Sequence, residues 1–192
     1  KKLNLTDDVS DLIGFKVRNP KFPDKIITLK MLLSHTSSLN DSEGYFTLDV
    51  INPDKNQNWA KCYSDYAPGA GYKYCNLNFN IVGTIIERVS GERFDKYVKA
   101  HVLDPLGLYG GYQVGALDST KFVTLYEYDS TKKFTAAPMA YNPRTTEIEQ
   151  YIIGYSTPIF SPTGGMKISA VDLAKYMTMH MYFGKYKDVR II

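Results

Sequence analysis

The sequence predicts an α+β fold in which helices dominate and one small β-hairpin is inserted. Two observations support this class. Apolar residues recur at three- and four-residue steps over residues 76–91, which is the period of an amphipathic helix. Two β-prone runs flank a polar turn at residues 129–133, as in a hairpin. The 192 residues suit one domain, or one domain with an attached subdomain.

The first elements are short. Residues 1–27 predict a polar segment with turns. Thr28 is a suitable N-cap for the run that follows, in which leucines recur at helical spacing up to His35. We therefore expect a short buried helix that ends near His35.

The next segment, residues 36–73, predicts a long irregular connection rich in Asn, Asp and Ser. Loops of this length are uncommon in compact domains and are often functional. We expect the part from residue 40 onward to be mobile unless Trp59 or a disulfide holds it. Cys62 and Cys75 could form one disulfide in an oxidising compartment. Their spacing is not that of metal ligands.

The clearest helical pattern begins at Asn76, and Gly91 follows it in the position of a C′ glycine. A second helix is predicted from about Glu92, and Asp104-Pro105 marks its end. Its apolar face carries Phe94, Tyr97, Val98 and Val102.

Residues 110–160 have a different character. The runs at 122–128 and 134–141 predict the two strands of the hairpin. Downstream, Ser169 and Asp172 form a capping-box pattern before another helix. Gly164-Gly165 predicts a close approach of the backbone to a neighbouring element.

Composition excludes several classes of partner. The formal net charge is +3, and the longest basic cluster is the pair Lys132-Lys133, so a nucleic-acid interface is not expected. No run of 18 apolar residues is present, so the sequence predicts no membrane span. The first residues also lack the apolar region of a signal peptide.

The pair Tyr74-x-Asn76 stands where a Pro/Gly-rich turn changes into the helical pattern. In the structural interpretation, Asn76 caps the helix and the Tyr74 ring packs against the core, since Asn is a favourable N-cap. In the functional interpretation, Tyr74 moves a proton and Asn76 orients a neighbouring group. A phenol is a poor base at neutral pH unless a cation or hydrogen bonds stabilise the phenolate, as a nearby lysine would.

The order of segments resembles the serine β-lactamase/penicillin-binding protein superfamily. The resemblance is to its class C β-lactamase-like branch, which includes D-alanyl-D-alanine carboxypeptidases and esterases. The matching segments are LNLTDDVSD (3–11), ITLKMLLSHTSSL (27–39), YAPGAGYKYCNLNFNIVGTIIERVSGERFDKYV (66–98), VLDPLGL (102–108) and TGGMKISAVDLAKYM (163–177).

The resemblance implies that Tyr74 is the catalytic tyrosine and that Asn76 supplies an amide lining the site. It also implies that residues 1–192 are a single central region of the fold. The Ser-x-x-Lys nucleophile of the family would precede Lys1, and the K-T-G or H-x-G strand would follow Ile192. The isolated chain is then expected to be inactive, and no metal or organic cofactor is required.

Three sequence features imitate catalytic motifs. Ser130 to Lys133 matches S-x-x-K, but it lies in the polar turn of the hairpin, where a solvated turn is the plain interpretation. Ser38-Leu39-Asn40 matches S-x-N by chance at a helix C-terminus. His35 is interpreted as a hydrogen-bonded structural residue. Ser38 also replaces the glycine of the family's usual His-Thr-Ser-Gly, which affects local turn geometry.

Two further hypotheses belong to other functional classes. One is a non-catalytic binding or sensory module with the same fold, which would lack Ser-x-x-Lys upstream. The other is a carbohydrate-contacting domain in which tyrosines of the 63–74 loop form the contact surface. The hydrolase hypothesis implies a small-molecule or peptide substrate and a periplasmic or other extracytoplasmic location. Uncovered apolar surface would favour a homodimer.

Overall fold

The structure is a computed structural model that describes residues 3–156 and 162–192. It confirms the α+β class, with helices dominant and sheets of two strands each. The α-helices in the described residues are α1 (Val9–Ile13), α2 (Leu29–Leu33), α3 (Asn76–Ser90), α4 (Phe94–Val98), α5 (Thr145–Glu149) and α6 (Ala170–Met181). The strands are β1 (Gly110–Gly111), β2 (Tyr126–Tyr128), β3 (Phe134–Ala136), β4 (Lys167–Ile168), β5 (Lys185–Tyr186) and β6 (Val189–Arg190). Short 3-10 helices occupy Leu48–Ile51, Trp59–Cys62, Val114–Ala116, Ser119–Lys121 and Pro138–Tyr141, and a π-helical turn at Lys99–Leu103 continues α4.

The strands pair as three antiparallel ribbons: β1 with β4, β2 with β3, and β5 with β6. The β2–β3 ribbon is the predicted hairpin, although its strands are shorter than the runs that predicted it. None of the helices in the described residues is both long and apolar enough to cross a membrane.

The described residues show no close backbone approach at Gly164-Gly165, where one was predicted. A Cβ at either position would meet no described atom within 4 Å, whereas the φ of +87° at Gly165 is one that other residues rarely adopt. The close approach occurs instead where β1 meets β4. A Cβ at Gly110 would lie 2.6 Å from the carbonyl oxygen of Lys167, so only glycine fits there.

The chain forms two compact units. The first comprises Lys1–Phe94 and Tyr151–Gly164, and the second comprises Asp95–Gln150 and Gly165–Ile192. In the first unit, α3 packs against α1 and α2. Its residues Leu77, Ile81 and Ile85 are fully buried at successive steps of four, and each contributes about 1.5–3 kcal/mol of hydrophobic stabilisation.

The predicted start of α2 and the predicted end of α3 are both observed. The Thr28 hydroxyl accepts a hydrogen bond from Met31 N, which caps α2. Gly91 follows α3 with φ +76°, and its N–H is donated to the Glu87 carbonyl. These local signals lie within a few residues of the ends that they specify, which is why the sequence reveals them.

The connection at 36–73 is more ordered than its composition predicts. It contains two 3-10 helices, and it contributes buried residues to the core of the first unit, including Leu39, Leu48 and Ile51. Trp59 packs against the same core, as expected of an anchor. The connection is therefore part of the folded unit.

The two cysteines form no disulfide; both are buried free thiols. The Cys62 thiol donates to the Val50 carbonyl, and the Cys75 thiol donates to Asp41 Oδ1. Burial is the main reason that the pKa of Cys62 rises to about 11 and that of Cys75 to about 12. Both thiols are therefore protonated at neutral pH in the folded protein.

The second unit has a smaller core built on Leu103, Leu106, Leu108 and Met179. Ser169 caps α6 as predicted, because its Oγ accepts from Asp172 N, and the same hydroxyl donates to Asp172 Oδ2. Several large apolar side chains of α6 remain exposed, with Met177 58% and Met181 74% exposed.

A buried carboxylate holds residues 151–154 to the end of α3. Glu87 is fully buried, and its oxygens accept hydrogen bonds from Phe94 N, the Tyr151 hydroxyl and Gly154 N, at 2.7–2.9 Å. Removing one partner from such a group leaves desolvated donors without acceptors.

We expect Glu87→Ala to lower the free energy of unfolding by about 3 kcal/mol or more, because two buried backbone donors and the part-buried Tyr151 hydroxyl lose this acceptor. Urea denaturation followed by the fluorescence of Trp59 reports on the first unit. Asp54→Ala, at an exposed carboxylate, serves as the control and should change stability by less than about 0.5 kcal/mol. Equal effects of the two substitutions would contradict a structural role for Glu87.

The buried thiols should react with a disulfide reagent at pH 8 at least about a hundredfold more slowly in the native protein than in urea, since the thiolate is the nucleophile. Glutathione measured in both solutions corrects for the effect of urea. Above pH 9 the unfolded thiols ionise while the folded ones keep their protons, so stability should fall as the pH rises from 9 towards 11–12. Native labelling of either cysteine at the unfolded rate would contradict this description.

Candidate active site

Tyr74 and Asn76 lie together at the entrance of α3, as the sequence predicts. The Tyr74 hydroxyl donates a hydrogen bond of 3.2 Å to Asn76 Oδ1. Tyr74 is 60% exposed, and its hydrogen bond to Asn76 also lies in an exposed position. The structural interpretation of this residue, in which the ring is packed into the core, is therefore wrong.

Asn76 does not cap α3; it is the first residue of the helix. The N-cap position belongs to Cys75, whose side chain caps no backbone N–H. The cap comes instead from the distant Asp41. Its Oδ2 accepts from Asn76 N at 2.8 Å, and its Oδ1 accepts from Leu77 N at 3.0 Å. A carboxylate at a helix N-terminus also interacts favourably with the helix dipole.

Asp41 also contacts the side chain of Asn76: its Oδ2 accepts a hydrogen bond of 2.9 Å from Asn76 Nδ2. Burial by itself would raise the pKa of Asp41. The hydrogen bonds from the backbone of Leu77 and Asn76, the Cys75 thiol and the Asn76 side chain outweigh burial and lower the pKa below the ordinary value of 3.8. The stabilisation that Asp41 provides is therefore present above the ordinary value of 3.8 and is lost as the pH falls through its lowered pKa.

His35 supports the site from the other side of Tyr74, and its structural role is as expected. Its ring lies 4.7 Å from the Tyr74 ring and 5.2 Å from the Phe79 ring. Nδ1 accepts from Cys75 N at 3.3 Å and lies 3.2 Å from Asn78 Nδ2. Because Nδ1 is an acceptor, the proton of the neutral ring lies on Nε2.

Ser38, in the turn after His35, adopts a backbone conformation that favours glycine. Ser38 has φ +66°, in the left-handed region that costs an L-residue roughly 1–2 kcal/mol. Its buried hydroxyl lies 3.1 Å from Asn19 Nδ2, which also donates to the carbonyls of Ser64 and Tyr66. These bonds offset the strain and hold the 36–66 segment in place.

The S-x-x-K imitation at Ser130 to Lys133 is an exposed turn, as interpreted from the sequence. The Asp129 carboxylate organises it by accepting from Thr131 N and Lys133 N. Ser130 therefore lies in a hairpin turn and not at the N-terminus of a helix. In the described part of the chain, no lysine hydrogen-bonds to the Tyr74 hydroxyl.

The sequence analysis missed Asp41. It lies 35 residues before Asn76, inside the segment interpreted as a mobile connection. The available signal was indirect: Cys75 is a poor cap, so a helix beginning at Asn76 needs an acceptor from elsewhere.

Comparison with known proteins gives the relatives of the chain. The family model described as Beta-lactamase matches residues 1–188. A putative penicillin-binding protein, PbpX of Bacillus subtilis (strain 168), is 34% identical over 111 residues, covering 56% of this chain and 26% of that protein. The chain thus spans about a quarter of this curated relative.

Solved structures share the fold. The octameric penicillin-binding protein homologue from Pyrococcus abyssi superposes with a TM-score of 0.66 and 23% identity, covering 96% of this chain and 41% of that chain. A class C β-lactamase superposes with a TM-score of 0.60 and 17% identity, covering 94% of this chain and 44% of that chain. At these identities the likeness concerns the fold.

Proposed function

The chain belongs to the beta-lactamase family, and we propose that it is part of a serine acyl hydrolase that cleaves an amide, β-lactam or ester bond through an acyl-enzyme. The observation that carries the proposal is the exposed Tyr74 hydroxyl, held 3.2 Å from the amide oxygen of Asn76. An exposed tyrosine on a buried frame is suited to act on a bound molecule.

In this proposal the nucleophile is the serine of a Ser-x-x-Lys motif outside residues 1–192. Its oxygen attacks the carbonyl carbon while the Tyr74 oxygen accepts the serine proton, and the proton that Tyr74 carried passes to the amine of the lysine in that motif. The proton then passes to the leaving group as its bond to the carbonyl carbon breaks, and water later hydrolyses the acyl-serine. Asn76 orients the lysine and the substrate amide.

In this proposal the serine and lysine of the Ser-x-x-Lys motif and Tyr74 depend on one another for activity. Catalytic residues that act as a unit lose most of their effect when one is removed. The isolated chain should therefore have little activity, and the protein made from the complete reading frame is the form to assay. We place that protein outside the cytoplasm, where penicillin-binding proteins and β-lactamases typically act.

We further propose that the isolated chain of residues 1–192 self-associates through α6. Leu173, Met177 and Met181 are exposed at steps of four residues and form one apolar stripe along this helix. An exposed stripe of this kind is typical of an interaction surface. The homologue from Pyrococcus abyssi is described as octameric, which supports association in this family.

Acylation is the direct test of the hydrolase. The complete protein should form an adduct with a fluorescent penicillin or an activated ester, detected by intact-mass spectrometry. Tyr74→Phe should slow adduct formation at least about a hundredfold, because it removes the proton-transfer group. Tyr72→Phe is the matched control, since Tyr72 is also exposed and lies beside His35.

No adduct on the complete protein with either reagent would overturn the hydrolase proposal and favour the non-catalytic binding module. Equal rates for the Tyr74 and Tyr72 variants would remove the role assigned to Tyr74. Thermal unfolding of both variants shows whether a lost adduct reflects a lost fold.

Self-association is measured by sedimentation equilibrium over a range of protein concentrations. Met177→Lys should weaken dimerisation at least about tenfold, because it places a charge in the apolar stripe. Gln57→Lys adds the same charge at an exposed position of the first unit and should have no effect. A wild-type protein that is monomeric at every concentration would contradict the proposed dimer.

A further inference from the structure

The four hydrogen bonds to Asp41 exceed what a helix cap requires. Two of them, from Asn76 N and Leu77 N, satisfy backbone groups at the start of α3. The other two come from side chains: Cys75 Sγ at 3.2 Å and Asn76 Nδ2 at 2.9 Å. The carboxylate thus holds the side-chain amide of the site as well as the helix end.

The orientation of the Asn76 amide determines whether its oxygen or its nitrogen faces the Tyr74 hydroxyl. An Asn side chain has a donor end and an acceptor end, and rotation by 180° exchanges them. In the observed orientation, Nδ2 faces the Asp41 carboxylate and Oδ1 faces the Tyr74 hydroxyl. The opposite orientation would place Oδ1 against the carboxylate, where two acceptors repel each other. The charge on Asp41 therefore selects one orientation.

A comparison with Asp8 separates this arrangement from ordinary capping. Asp8 caps α1 by accepting from Ser10 N at 2.9 Å, and its carboxylate also forms an ion pair with Arg18. Among the described residues Asp41 has no such ion pair, and its carboxylate accepts hydrogen bonds from residues 75–77. The charge of Asp41 is thus stabilised by uncharged donors at the start of α3, two of which belong to Asn76.

The backbone around Asp41 is fixed by the first unit. Asn40 N donates to the Cys62 carbonyl at 2.8 Å, and Leu39 pairs with Tyr63 in an isolated β-bridge. Leu39 is also fully buried. The carboxylate therefore projects from a rigid part of the connection.

We infer that Asp41 is a positioning residue of the acyl hydrolase: it fixes the Asn76 amide so that Oδ1 receives the Tyr74 hydroxyl and the hydroxyl points in one direction. The effect of Asp41 on catalysis rests on the proposed function. Its effect on the orientation of Asn76 rests on the geometry alone. Misplacement of a catalytic group by about 1 Å can reduce a rate by about a hundredfold.

A double-mutant cycle in the complete protein tests the inference. Asp41→Asn should slow acylation by the fluorescent penicillin about ten- to a hundredfold, mainly in the acylation step and less in the binding of the penicillin. In the Asn76→Ala background the same substitution should cost less than about twofold, because the amide through which Asp41 acts is absent. Asp8→Asn is the matched control for loss of a capping carboxylate.

A spectroscopic readout separates this inference from the hydrolase proposal. In protein labelled with ¹⁵N-Asn, the Asn76 side-chain resonance is identified by its loss in Asn76→Ala. Asp41→Asn should shift that resonance and speed the exchange of its protons at least about tenfold, whereas Asp8→Asn should leave it unchanged.

Equal losses of acylation in the two backgrounds would overturn the positioning role, as would an Asn76 resonance unmoved by Asp41→Asn. If the unsubstituted protein forms no adduct, the hydrolase proposal fails, and the Asn76 resonance alone decides whether Asp41 holds the amide.

Discussion

The interaction on which the first unit depends is that between the Asp41 carboxylate and the N-terminus of α3. A helix begins with backbone N–H groups that have no partner within the helix. The Cys75 side chain does not accept one, so Asp41, which lies 35 residues before Asn76, supplies the acceptor. Since the same carboxylate also binds the Asn76 amide, the start of the helix and the geometry of the candidate site are satisfied by one group.

The buried polar residues of α3 extend this arrangement along the helix. Asn78 Oδ1 accepts from Ser37 Oγ at 2.8 Å, and Asn80 Nδ2 donates to the Tyr45 carbonyl at 2.6 Å. At the other end, Glu87 binds residues of the 151–154 segment. Apolar contacts alone would stabilise α3 against its neighbours without fixing its position along them. These hydrogen bonds fix which loop residue contacts which turn of the helix.

The second unit is organised differently. Its core is small, and the strands of its ribbons are two or three residues long. Short ribbons contribute little stability unless other elements cover them. The apolar side chains that α6 leaves exposed are thus the feature of this unit that most needs a partner, and the proposed self-association supplies one.

The sequence by itself determined the features that are encoded within a few residues. The N-cap Thr28, the helix beginning at Asn76, its terminal Gly91, the hairpin and the capping box at Ser169 follow from periodicity and local hydrogen bonding. The pairing of Tyr74 with Asn76 was also visible, because the two residues are only two positions apart at the start of the helix. Only the tertiary structure decided which group caps α3, whether the cysteines pair, and whether the 36–73 connection is ordered. Those outcomes depend on groups far apart in the chain, such as Asp41 and Leu77, which the fold brings within hydrogen-bonding distance and which no local pattern can relate.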